Sequence, residues 1–143
     1  AQEETSTHYL LTKSMDGRVF LWDVAEAKRI HSYRIPQSNC NHCQLDVTVD
    51  GKYFVAGNSS GAVYVFETFE ASDDEGKSAG DRKPLCRLEP YKMATAVHSC
   101  AISDDHQNVI STMGDGFLFR YKYYKAPPAE DKDKDEDKDE DKE

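Results

Sequence analysis

The stretch from His8 to Val24 constrains the fold most. It reads as an apolar strand, an Asp16-Gly17 turn, and an alternating strand ending in Trp22-Asp23. Asp-Gly between two alternating apolar runs is a strong hairpin signal, because Asp and Gly accept the backbone angles that tight hairpins demand. The shape recurs twice. Residues 52–67 carry Ser60-Gly61 at the turn and Phe66-Glu67 at the end, and residues 108–122 carry Asp115-Gly116 and Tyr121-Lys122. Gly17 and Gly61 are 44 residues apart, Gly61 and Gly116 are 55 apart, and the excess matches a polar insert at residues 70–82. Recurrence at such a period points to repeated sheet units that bury their faces on one another.

Further strands fit between the hairpins. Leu45–Lys52 and Val97–Asp105 precede the second and third hairpins, and Lys28–Ile35 and Pro84–Leu88 follow the first and second. Over roughly residues 8 to 124 this pattern resembles the WD40 repeat, the four-stranded blade of a β-propeller. The resemblance implies an all-β fold of antiparallel four-stranded blades, with strands in the order b-c-d, a-b-c-d, a-b-c. Ten strands make about two and a half blades, and a closed ring needs at least four. The expectation is therefore the C-terminal piece of a longer propeller. Residues 1–125 form the blades, with an acidic insert at 70–82, and residues 126–143 form a tail.

Net charge is −9, and the run Glu130–Glu143 holds ten acids and four lysines. Without an apolar side chain to bury, that low-complexity tail is expected to be disordered. The remainder is nearly balanced, so neither nucleic acid nor a membrane surface is an expected partner. No apolar run reaches the ~20 residues of a membrane-spanning helix. Cys40, Cys43, Cys86 and Cys100 lie on or beside expected strands, which suits an intracellular, reduced setting. Nucleus and cytoplasm are not separated by this reasoning.

Four motifs invite chemical readings. Gly57-Asn58-Ser59-Ser60-Gly61 matches G-x-S-x-G, but a nucleophile elbow runs from strand into helix, and here an alternating strand follows. Cys40-Asn41-His42-Cys43 offers three metal ligands where structural zinc wants four, so no metal is expected. Asn58-Ser59-Ser60 is formally a glycosylation sequon, expected to be unused. Ser72, followed by Asp73-Asp74-Glu75, resembles a phosphorylation site for an acid-directed kinase. No catalytic constellation and no cofactor site emerge.

The family resemblance implies a non-enzymatic scaffold for protein–protein interaction within a multisubunit complex. A chromatin-associated, histone-binding subunit, using the tail against a basic partner, is the alternative. A hydrolase or metal-binding protein is a remote third. Peptides dock in this family on the face built from d–a and b–c loops. In this sequence those loops contain Met15, Gln37, Asn39, Asn58, Ser59, Tyr91, Met93 and Met113. Asp16, Trp22, Asp23 and Asp115 are expected to be structural, with Trp22 buried between blades.

Overall fold

The computed structural model describes residues 7–36, 44–69, 80–90 and 95–125. Among these residues, ten strands fall into three antiparallel sheets. The first contains β1 (Tyr9–Lys13), β2 (Arg18–Asp23) and β3 (Lys28–Arg34). The middle sheet contains β4 (Leu45–Val47), β5 (Tyr53–Gly57), β6 (Val63–Glu67) and β7 (Cys86–Leu88). The third contains β8 (Val97–Ile102), β9 (Asn108–Met113) and β10 (Leu118–Lys122). Strand order is therefore b-c-d, a-b-c-d and a-b-c, as the repeat pattern implied.

Side-chain alternation explains how the sheets stack. In β2, Val19 and Leu21 are buried while Arg18 is exposed and Phe20 and Trp22 lie half-buried. Val19 and Leu21 join Tyr33 and Ile35 in packing against Phe54, Ala56, Tyr64 and Phe66 of the middle sheet. The opposite face of that sheet presents Val55 and Val63 to Val97, Cys100, Ile102, Val109 and Met113. A strand buried on both faces needs apolar residues at consecutive positions, which is why Phe54-Val55-Ala56 does not alternate.

Aromatic rings fill the first of these interfaces. Phe54 and Phe66 are cross-strand partners whose rings stack at 4.9 Å, and Tyr33 meets Phe54 edge-on at 4.8 Å. The Tyr33 hydroxyl donates to the carbonyl of Thr68, so a polar tip is satisfied inside an apolar layer.

Trp22 is half-buried: it sits on the face of the first sheet turned away from the middle sheet, opposite exposed Leu10. Among the described residues no further sheet covers that face. Ile110 and Leu118 are exposed on the third sheet in the same way.

Candidate protein-interaction surface

The three hairpin turns share one geometry. Ser14, Asn58 and Met113 each close a three-residue loop with the residue four positions later, Arg18, Ala62 or Phe117, at 2.8–2.9 Å. The last loop residue is glycine each time, with φ of 82° at Gly17, 91° at Gly61 and 89° at Gly116. Only glycine takes that left-handed angle freely, and the loop is the three-residue type common in hairpins. Asp16 accepts the Arg18 N–H at 3.1 Å and Asp115 the Phe117 N–H at 3.4 Å. The hydrogen bond from the Arg18 backbone, ahead of smaller contributions, holds the Asp16 carboxyl below its ordinary pKa.

In the middle hairpin the same task falls to Asn58. Its Oδ1 accepts the N–H groups of Ser60 (3.1 Å) and Ala62 (2.8 Å) and the Ser60 hydroxyl (3.1 Å). Its Nδ2 donates to the carbonyl of Pro36, which follows the first sheet, and its carbonyl accepts the Val97 N–H of the third. At 0% exposure, Asn58 is a buried hub linking three sheets. It therefore offers no surface for a partner and no access for a glycosyltransferase. Met113 is likewise taken out of the contact set, because it packs in the core between the middle and third sheets.

A relay of backbone bonds sets these turns on one end of the stack. Ile35 N–H donates to Gly17 O, Val97 N–H to Asn58 O, and Gly114 N–H to Ala96 O. Met15 (56% exposed) and Phe117 (53% exposed) stand out from the first and third turns, with half-buried Ser59 between them in sequence. Phe117 was not picked from the sequence. Its place directly after Asp115-Gly116 was the available signal. Gln37, Asn39, Tyr91, Met93, Ser72, the Cys40–Cys43 segment and the acidic tail lie outside the described residues.

Ser59 lies in a turn between β5 and β6, so its G-x-S-x-G context is strand–turn–strand. Asp23 closes the β2–β3 turn by accepting the N–H groups of Ala25 (2.9 Å) and Glu26 (3.1 Å). Trp22 donates its indole N–H to Thr12 Oγ1 at 2.9 Å. Cys86 is an exposed free thiol, while Cys100 is buried and donates to the Gln44 carbonyl. Among the described residues no group of three or more His, Cys, Asp or Glu side chains is placed to hold a metal.

The opposite end of the stack carries a second repeated turn that sequence reasoning did not single out. Thr48 Oγ1 donates to Asp50, and Asp50 accepts the Lys52 N–H; one repeat later Ser103 donates to Asp105, which accepts the Gln107 N–H. The Thr48 hydroxyl, first among several contacts, lowers the Asp50 pKa to about 2, and the Ser103 hydroxyl chiefly lowers that of Asp105. Gly51 and His106 hold matching places, both at positive φ (70° and 61°). His106 spans the two repeats: its Nε2 lies 3.1 Å from Asp50 Oδ2 and its ring meets Tyr53 edge-on at 4.8 Å.

Comparison with known proteins agrees with this architecture. No family model matches the chain. A protein described as Protein LST8 homolog from Drosophila pseudoobscura pseudoobscura is 27% identical over 109 residues, covering 76% of this chain and 32% of that protein. The Protein LST8 homolog of Drosophila melanogaster is 29% identical over 114 residues, with the same coverage of 76% and 32%. The chain thus spans about a third of the length of these relatives. Repeat spacing, sheet order and these likenesses converge, and the chain is built of WD40-type β-propeller blades.

Proposed function

We propose that the chain acts without catalysis, as a protein–protein interaction scaffold in a multisubunit complex. The observation that carries this reading is the use of its polar groups. The side chains of Asp16, Asn58 and Asp115 are all spent on closing turns, which holds the exposed Met15 and Phe117 on a rigid end of the stack. A rigid platform with protruding Met and aromatic side chains is how proteins present anchors to a partner. Likeness to the LST8 homologs supports the same class of role.

The test is a comparison of complexes. The tagged full chain and a Met15→Glu/Phe117→Glu variant are isolated from cells and their stoichiometric partners identified. The reading expects a defined partner on the native chain that is lost from the variant, with unchanged melting of the variant. An unchanged partner set would move recognition away from this end.

A second reading rests on the Glu130–Glu143 run and has a basic protein, such as a histone, held by the tail. Such a partner would be lost when salt is raised and kept in the Met15/Phe117 variant.

A further inference from the structure

One side chain joins the middle and third sheets from an unusual backbone setting. His106 lies in the turn between β8 and β9 with a φ of 61°, where the matching turn of the middle sheet has Gly51 at 70°. Glycine takes that angle freely, so a histidine at the same place points to a task for its side chain. The ring crosses from the third sheet to the middle one. It meets Tyr53 edge-on at 4.8 Å, and its Nε2 lies 3.1 Å from Asp50 Oδ2. That nitrogen is shielded from solvent, and its placement suits a charge contact more than an aligned hydrogen bond. Both walls of the contact belong to this chain, so it is made by the stacking of two sheets and owes nothing to an open face.

The partner of His106 keeps its charge near neutral pH. The Thr48 hydroxyl first, then the Lys52 N–H and, more weakly, His106 hold the Asp50 pKa at about 2. Asp105, lowered chiefly by the Ser103 hydroxyl, is ionised as well. Lys52 Nζ is 3.8 Å from the same Asp50 Oδ2, and Asp104 accepts the Val49 N–H across the interface at 3.1 Å. Lys122, Tyr123 and Tyr124 line a cavity beside His106 together with Cys86 and Tyr121, whose pKa values are raised by burial, so that both stay neutral. A neutral imidazole can turn a bare nitrogen to a carboxylate, whereas the imidazolium donates from both nitrogens and adds charge attraction. We propose that His106 and Asp50 form a proton-operated clasp between the middle and third sheets, closed by the imidazolium and loosened when the ring is neutral. An ordinary imidazole changes charge at about pH 6.5, so the clasp answers to mild acidification, well above the range in which these carboxylates titrate. A proton held more tightly by the folded chain stabilises it at lower pH, and that contribution is lost as pH rises through the neutral range.

The C2 proton of His106 is followed by NMR on the full chain between about pH 8.5 and about pH 5, across the range where imidazoles titrate. The same titration is run on Asp50→Asn, with His106→Gln fixing the assignment. The expected result is a proton bound about two- to five-fold more tightly in the native chain, the range of an ion pair with partly exposed partners. Salt at about 0.5 M should shrink that advantage, measured against exposed His8 as the reference for the general charge of the chain. In urea the native chain, relative to His106→Gln, should be about two- to five-fold harder to unfold at about pH 5.5 than at about pH 8. Equal titration in the native and Asp50→Asn chains would overturn the proposal, and so would a ratio in urea that does not change with pH. A His106 that only fills space would move neither readout. If Asp50→Asn fails to fold, the salt arm on the native chain decides, because it alters no residue. If His106→Gln fails to fold, His106→Gly takes its place in urea, since glycine accepts the turn angle.

Discussion

Trp22 of β2 donates its indole N–H to the hydroxyl of Thr12 in β1, at 2.9 Å, on the outward face of the first sheet. The two residues sit diagonally: Trp22 faces Leu10 and Thr12 faces Phe20 in the strand register. The bond ties together two strands at the position where the Trp-Asp signature ends the hairpin.

Thr12→Val should remove that acceptor while keeping the shape. A net loss of about 0.5–1.5 kcal/mol is expected for a partly exposed hydrogen bond. Trp22→Ala should cost roughly 1–2 kcal/mol, below the ~3–5 kcal/mol of a large side chain removed from a core, because the ring is only half-buried. Urea unfolding of the full chain followed by circular dichroism measures both. A Trp22→Ala cost as large as that of Phe54→Ala would contradict the half-buried placement.

Asn58→Ala should be among the most damaging polar substitutions. It leaves the N–H groups of Ser60 and Ala62 and the Pro36 carbonyl without their partner at a fully buried site. Each orphaned group costs about 1–3 kcal/mol, so a loss of roughly 3–5 kcal/mol is expected. Asn58→Asp should fare little better: the acceptors remain, but the donor to Pro36 is lost and a charge is buried. Ser60→Ala, which removes one bond to Asn58, sets the scale of a mild change in the same denaturation experiment.

Acid should loosen the turns at the opposite end of the stack. The folded Asp50 carboxyl titrates at about 2, below the ordinary 3.8, and that of Asp105 is also lowered. A carboxyl with a depressed folded pKa stabilises the fold above its unfolded value, and that contribution is lost as pH falls through the folded value. The melting temperature should therefore drop between about pH 4 and pH 2, and Asp50→Asn should flatten that part of the profile. An identical acid limb in wild type and Asp50→Asn would show that Asp50 contributes nothing to it.

His106 separates backbone strain from side-chain contact. Its φ of 61° is tolerable for His but poor for a β-branched residue, so His106→Val should cost about 1–3 kcal/mol. His106→Gly loses the contacts to Asp50 and Tyr53 but takes the angle freely, as Gly51 does in the matching turn. The glycine variant should unfold at a higher urea concentration than the valine variant. The reverse order would mean that the side-chain contacts outweigh the backbone.

Local features of the chain were legible because hairpins are written locally. Asp16-Gly17, Ser60-Gly61 and Asp115-Gly116 set the turns, and period-two alternation around them set the faces of β2 and β9. Strand order followed from the repetition together with the resemblance to WD40 blades. The fate of individual turn residues was not legible. Asn58 and Met113 looked like loop residues open to a partner, and both are buried because a neighbouring sheet closes over them. Asp46 accepting the Ile102 N–H, across 56 residues, and His106 reaching Asp50 exist only after two sheets have stacked. Sequence alone determined the repeat, its turns and the alternation of its strands, because those depend on residues a few positions apart. The stacking of one sheet on the next decided which alternating face lies inside and which stays open, because that depends on the surface that arrives from tens of residues away.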